Sequence, residues 1–321
     1  MGKIAFMFAG QGDQYPGMGK ELYEKSPLAK EVFDVAEGFR PGTIQQCFSG
    51  TSEELMQTEN TQPCLYCVDL AAARALQEQG IQPDFLAGFS LGEVAAYTFS
   101  GGVSLEAGFQ IVSKRGKLMQ AASEKNASAM VAVLKLDNET VEGLCGNYTQ
   151  VYPVNYNCGG QLVVSGIKEE IQDFKKAAKK MGATVVQLPL SGGFHSPFMS
   201  SAAADFAKAL EGYELGEPKI PLYSNYTSKL YGQGDSEEGR LSPKELLSRQ
   251  IENPVRWQQI VEDMIREGVD TFVEVGAGRT LSKLVLRIWP EAAVYNVENL
   301  ESLELTVNAL KGSEPTVQEG R

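Results

Sequence analysis

The chain has 321 residues, of which 43% are hydrophobic and 22% charged, so disordered and fibrous classes are excluded. Lys plus Arg number 29 against 41 Asp plus Glu, a formal net charge of -12. That balance excludes non-specific nucleic-acid binding, which needs a cationic face. No apolar stretch approaches the ~20 residues of a membrane span, and Ile4 to Ala9 is too short for a signal-peptide core. The expected location is the cytoplasm.

The first predicted strand, Lys3 to Ala9, runs into the turn Gly10-Gln11-Gly12. A dinucleotide fingerprint would need a third glycine at position 15, where the chain has Tyr15. Helical patterns follow at Gly19 to Ala36 and Gln62 to Gln79, the second with its start at Thr61-Gln62-Pro63. That helix carries Cys64 and Cys67, a lone CxxC. With five cysteines in all, no second pair and one distant histidine, these are expected to be buried thiols, with no metal site. Next come a strand from Asp84 to Gly88, a turn at Phe89-Ser90, and helices from Leu91 to Phe99 and Leu105 to Ala122.

The middle of the chain changes rhythm. Strand Ala129 to Leu136, helix Glu139 to Cys145, strands Val151 to Asn157 and Gln161 to Ser165, helix Lys168 to Met181 and strand Thr184 to Leu190 make a βαββαβ order. This is the ferredoxin-like arrangement. The chain then continues with a helix from Ser200 to Leu210, a short strand from Pro221 to Ser224, and a polar loop from Tyr231 to Arg240. Helices Lys244 to Gln250 and Trp257 to Glu267 precede a strand from Asp270 to Val275, the turn Gly276-Ala277-Gly278 and a helix from Leu281 to Ile288. Gly312 to Arg321 reads as a frayed tail. The expected fold is α/β: an α/β-hydrolase-like body of residues 1–126 and 191–321 with a mostly parallel sheet, and an inserted ferredoxin-like subdomain at 127–190.

Gly88-Phe89-Ser90-Leu91-Gly92 is a GxSxG pattern between a predicted strand and a helix. There it lifts a serine hydroxyl clear of the sheet, and its two glycines let neighbouring backbone close in. The following helix sets the Leu91 amide where an oxyanion would form. A serine nucleophile needs a base, and the chain holds one histidine, His195, in Ser191-Gly192-Gly193-Phe194-His195-Ser196-Pro197. If Ser90 is activated by histidine, His195 does it. An α/β-hydrolase carries its histidine near the C-terminus after the acid, whereas 126 residues follow His195. That order argues against an ordinary esterase, and a backbone carbonyl could orient the imidazole.

Together these segments resemble the malonyl-CoA:acyl carrier protein transacylase family of fatty-acid and polyketide synthesis. The resemblance runs in order through FAGQGDQYPGMG, TQPCLY, GFSLGE, RGKLMQ, PVNYN, GGFHSPFM, RQIENPVRW and VEVGAGRTL. It implies Ser90 as acyl-accepting nucleophile, His195 as general base, and the amides of Gln11 and Leu91 as oxyanion hole. It implies that the Gln250 main-chain carbonyl takes the place of a triad acid, and that Arg115 holds the malonyl carboxylate. Without the resemblance Arg115, beside Lys114 and Lys117, reads as a solvated helix face.

The implied activity is ping-pong transfer of malonyl from malonyl-CoA to the phosphopantetheine thiol of holo acyl carrier protein. No cofactor is bound, the CoA thioester being substrate, and the chain is expected to be a monomer without membrane or nucleic-acid partners. Rival functions are an acyl hydrolase on the same scaffold and a non-catalytic docking module. Phe89 stands where the family usually has histidine, Asp13 where it has a small residue, and Ala277 where proline is usual. Phe194 resembles the pattern of malonyl-selective members. Lys175, Lys176, Lys179 and Lys180 form one basic stripe and Lys114 with Lys117 another, either a candidate dock for an acidic carrier.

Overall fold

A computed structural model describes residues 2–233 and 240–312. The expected tail at 313–321, and 234–239 of the expected loop, lie outside the described residues. Nine strands are described: β1 (Lys3–Phe8), β2 (Phe85–Gly88), β3 (Ser128–Leu134), β4 (Val151–Cys158), β5 (Gln161–Ile167), β6 (Thr184–Ser191), β7 (Leu222–Tyr223), β8 (Val269–Val275) and β9 (Ala293–Val297).

They form two sheets. The first, in order β7-β2-β1-β8-β9, is parallel throughout. Its strands are apolar runs because helices cover both faces. Side chains alternate across the sheet: Phe6, Phe8, Leu86 and Val273 join one apolar cluster with the helix Thr58–Glu78. Ala5, Met7, Phe85 and Phe272 join another with Trp257 and Ile260 of the helix Trp257–Arg266. Each such fully buried large side chain contributes about 1.5–3 kcal/mol. The hydrolase-like part of the expectation gains nothing from this strand order, which winds outward in both directions from β1.

The second sheet, in order β4-β5-β3-β6, is antiparallel, with β3 paired residue for residue to β5 from Ser128↔Ile167 to Leu134↔Gln161. Its two faces are divided by parity. Val131, Val133, Leu162 and Val164 pack with Ile171 and Phe174 in a separate cluster under the helices Asn138–Cys145 and Lys168–Lys180. Met130, Ala132 and Val163 turn the other way, into the cluster shared with the first sheet.

Several expectations need correction. The helix expected over Gly19 to Ala36 is two, Lys20–Lys25 and Pro27–Phe39. Ser26 stops the first and caps the second, its hydroxyl accepting from the Ala29 N–H at 3.1 Å with Pro27 at the first helical position. The helix expected to start at Thr61-Gln62-Pro63 begins at Thr58, with Pro63 inside it. Its first turn is closed ahead of the proline, because the Asn60 and Thr61 amides both bond to the Gln57 carbonyl. Short helices at Thr43–Ser49 and Ser52–Met56, and β9 with the helix Leu300–Lys311, were not foreseen.

Candidate active site

The C-terminal ends of β1, β2 and β8 gather at one edge of the parallel sheet, where open α/β sheets bind ligands. Ser90 sits there between β2 and the helix Leu91–Phe99, with φ 56° and ψ -107°. Non-glycine residues rarely adopt this backbone, which costs about 1–3 kcal/mol and persists when surrounding contacts impose it. The close approaches explain the two glycines: a Cβ on Gly88 would fall on the backbone of Gly92 and Glu93, and one on Gly92 on the Phe8 and Ala9 carbonyls. Asn225, just past β7, splints the bend. Its Oδ1 accepts the Ser90 N–H at 2.7 Å, and its Nδ2 donates to the Gly88 carbonyl at 2.6 Å.

His195 follows β6 and also holds a positive φ, 60°. Its Nδ1 lies 2.9 Å from the Gln250 main-chain carbonyl and its Nε2 2.8 Å from Ser90 Oγ. A carbonyl can only accept, so Nδ1 carries the proton and Nε2 is the free base facing the serine hydroxyl. Burial, then the Arg115 charge, lower the imidazole pKa to about 4, against the raising effect of its backbone hydrogen bonds.

Arg115 is fully buried, not on a solvated helix face. Its Nη1 donates to Gln62 Oε1 at 2.8 Å, and its Nη2 to Gln250 Oε1 at 2.7 Å and Ser90 Oγ at 3.1 Å. Its Nε is buried without a partner. Burial lowers its pKa to about 10, so it stays charged at neutral pH. The serine oxygen therefore accepts from a guanidinium while donating to an imidazole. Gln11 and Leu91 line the small space at Ser90 with Met119, Met130, Phe194 and His195. Neither the Gln11 nor the Leu91 N–H has a hydrogen-bond partner among the described residues.

All six residues singled out from the sequence thus lie together. A larger cleft of about 410 Å³ opens beside them between the two sheets, bordered by Gln11, Phe89, Asn155, Asn157, Val163 and Leu281. Phe89 occupies its wall against Trp257, ring centroids 5.5 Å apart. Asp13 also borders the cleft but bonds to the Thr280 hydroxyl. Ala277 is buried. All five cysteines are buried free thiols, with burial raising Cys67 well above its ordinary pKa. Among the described residues no helix is long and apolar enough to cross a membrane.

Sequence reasoning missed Glu93, Asn225 and Gln62. Glu93 is fully buried, its pKa raised to about 6 by burial against the lowering effect of its hydrogen bonds and Arg115. An acidic residue with the helical register of Glu93 reads as exposed. The only signal was its place on the short, otherwise apolar helix after the elbow.

Known proteins resemble this chain over nearly its whole length. Residues 5–303 match the family described as acyl transferase domain. The malonyl CoA-acyl carrier protein transacylase of Bacillus subtilis (strain 168) is 37% identical over 317 residues, covering 97% of this chain and 98% of that protein. The crystal structure of the transacylase of the same name from Clostridium perfringens superposes with a TM-score of 0.91 at 35% identity, covering 97% of this chain and 98% of that one. A malonyl-transacylase solved in complex with its type II PKS acyl-carrier protein gives 0.88 at 34% identity, covering 97% and 99%. The chain belongs to the acyl transferase domain family, within its malonyl CoA-acyl carrier protein transacylase branch.

Proposed function

We propose that this chain moves a malonyl group from malonyl-CoA to the phosphopantetheine thiol of acyl carrier protein, through an ester on Ser90. The observation that carries the reading is the Ser90 hydroxyl held between the His195 Nε2 and the Arg115 guanidinium. Ser90 Oγ attacks the thioester carbonyl as its proton passes to His195 Nε2. The oxyanion is met by the amides of Gln11 and Leu91, whose N–H groups are otherwise unused. The C–S bond breaks, and the CoA sulfur leaves with the proton from His195. The imidazolium is stabilised meanwhile by the Gln250 carbonyl on Nδ1. In the second half the carrier thiol gives its proton to His195, attacks the ester, and Ser90 Oγ recovers a proton as it leaves.

Arg115 gives the site its preference for an acidic acyl group. Its Nε–H is unpartnered and, once Nη2 releases the Ser90 oxygen, the two form a fork suited to a carboxylate. The chemistry uses no bound cofactor. The division into a body of 1–126 with 191–321 and a subdomain of 127–190 belongs to the same proposal, supported by the separate apolar cluster under β3 to β6. The cleft between the two sheets would then admit the thioester arm. Initial rates with malonyl-CoA and holo carrier varied together test the reading. Parallel double-reciprocal lines are expected; intersecting lines would mean direct transfer within a ternary complex.

A further inference from the structure

We infer that Glu93 is a positioning residue that selects for the acyl carboxylate, its buried charge holding the Arg115 guanidinium through the Gln250 side-chain amide that lies between them. The inference rests on the malonyl-transfer reading above.

The hydrogen bonds leave no choice of orientation. Gln250 Nε2 donates to Glu93 Oε2 at 2.8 Å and to the Ser90 carbonyl at 2.8 Å, both acceptors only. Gln250 Oε1 therefore points the other way and accepts from Arg115 Nη2 at 2.7 Å, a donor only. Glu93 is itself held from two further sides. Its Oε2 accepts the Asn225 N–H at 2.9 Å and its Oε1 the Tyr231 hydroxyl at 2.7 Å. One buried carboxylate thus holds the Gln250 side-chain amide and the Asn225 main-chain N–H. Asn225 keeps the elbow bent under Ser90, and Gln250 holds the guanidinium that faces the acyl group.

Charge explains why a carboxylate is used. A buried guanidinium far from any anion is costly, and Glu93 compensates Arg115 across one intervening amide instead of touching it. Direct pairing would consume the donor edge that the substrate carboxylate needs. Placed one residue away, the anion holds Arg115 in the site and leaves its Nε–H open. Removing the negative charge has a specific consequence. Glu93→Gln keeps an amide oxygen that accepts from Gln250 Nε2 and the Asn225 N–H while its NH2 meets the Tyr231 hydroxyl, so it leaves the Gln250 orientation in place and removes only the charge that holds Arg115.

The test compares malonyl-CoA with acetyl-CoA as acyl donors for the wild type, Glu93→Gln and Tyr231→Phe. Ser90 labelling by a neutral organophosphonate serves as a substrate-independent measure of the nucleophile. Glu93→Gln should raise KM for malonyl-CoA about tenfold or more and lower the malonyl-to-acetyl ratio of kcat/KM by a similar factor, with labelling within about threefold of wild type. Tyr231→Phe removes a bond to the same carboxylate but leaves Oε2 on Gln250, so the ratio should hold within about twofold. A preserved ratio in Glu93→Gln, or an equal loss in both variants, overturns the inference. Should Glu93→Gln not fold, Glu93→Asp, which withdraws the charge from Gln250, carries the same expectation and the same refutation. A wild type that labels normally but shows no preference for malonyl-CoA refutes the malonyl-transfer reading instead.

Discussion

Ser90 Oγ lies 2.8 Å from His195 Nε2 although the residues are 105 positions apart, and both hold a positive φ, 56° and 60°. Two strained backbones aimed at each other mark where the fold spends stability on geometry. Among the described residues no acidic side chain completes a triad. The Gln250 carbonyl lies against the imidazole Nδ1, and burial with the Arg115 charge favours the neutral ring that the proposed mechanism requires.

The pH dependence follows with a definite sign. In the proposed mechanism the neutral imidazole is the active form, so reaction of Ser90 with a neutral organophosphonate should stay level as pH falls from 8 to about 5. It should then drop through the His195 pKa of about 4. Arg115→Met removes a positive charge that lowers this pKa, so its midpoint should move upward. A wild-type midpoint at the ordinary value near 6.5 would contradict the account.

Phe194 is buried and lines the space at Ser90 with Met119 and Met130. An added methyl on an acyl chain carried by Ser90 is expected to meet this wall, and one methyl in a tight pocket is worth about 1–3 kcal/mol. Methylmalonyl-CoA should therefore be used roughly 10- to 100-fold less well than malonyl-CoA, and Phe194→Ser should narrow the gap. Comparable kcat/KM for both donors in the wild type would defeat this.

How much of this was legible in the sequence depends on how locally each feature is encoded. The elbow was visible because its five-residue pattern is contiguous, with Gly88 answering to the backbone of Gly92 and Glu93, and His195 because the chain has no other histidine; that Gly92 answers to the distant Phe8 and Ala9 carbonyls was not visible. The βαββαβ unit was visible from alternation on β3 to β6. The buried support was not. Glu93, Asn225 and Gln250 meet across separations of 25 to 157 positions, and each alone looks like an ordinary polar residue. The helix start at Thr58 escaped because proline favours first turns, while here Gln57 closes the turn earlier.

Asp69 is buried in the helix Thr58–Glu78 with both carboxylate oxygens unpartnered, near Glu274. Burial, and then Glu274, raise its pKa well above the ordinary value. A raised carboxyl pKa favours folding below the unfolded-state value near 3.8, and that advantage is lost as pH rises through the folded-state value. Asp69→Asn should therefore raise Tm at pH 8, by about 2–4 °C for each kcal/mol gained, with the gain shrinking towards pH 4. Thermal melts of both proteins across that range check it, and a gain independent of pH would refute it.

The two basic stripes are solvent-exposed at Lys114, Lys117, Lys176, Lys179 and Lys180 and half-buried at Lys175. On a chain of net charge -12 these are the local cationic surfaces open to an acidic carrier. Reversing the charge of both stripes should raise KM for the holo carrier several-fold while leaving Ser90 acylation by malonyl-CoA unchanged. An unaltered carrier KM would rule both stripes out as the dock.

The central claim is an acyl group carried on Ser90, and intact-protein mass after brief exposure to malonyl-CoA tests it most directly. One added malonyl group on the wild type, none on Ser90→Ala, and discharge of the adduct by holo acyl carrier protein are predicted. Release of free CoA and malonate with no adduct, or an adduct that persists in Ser90→Ala, would contradict it.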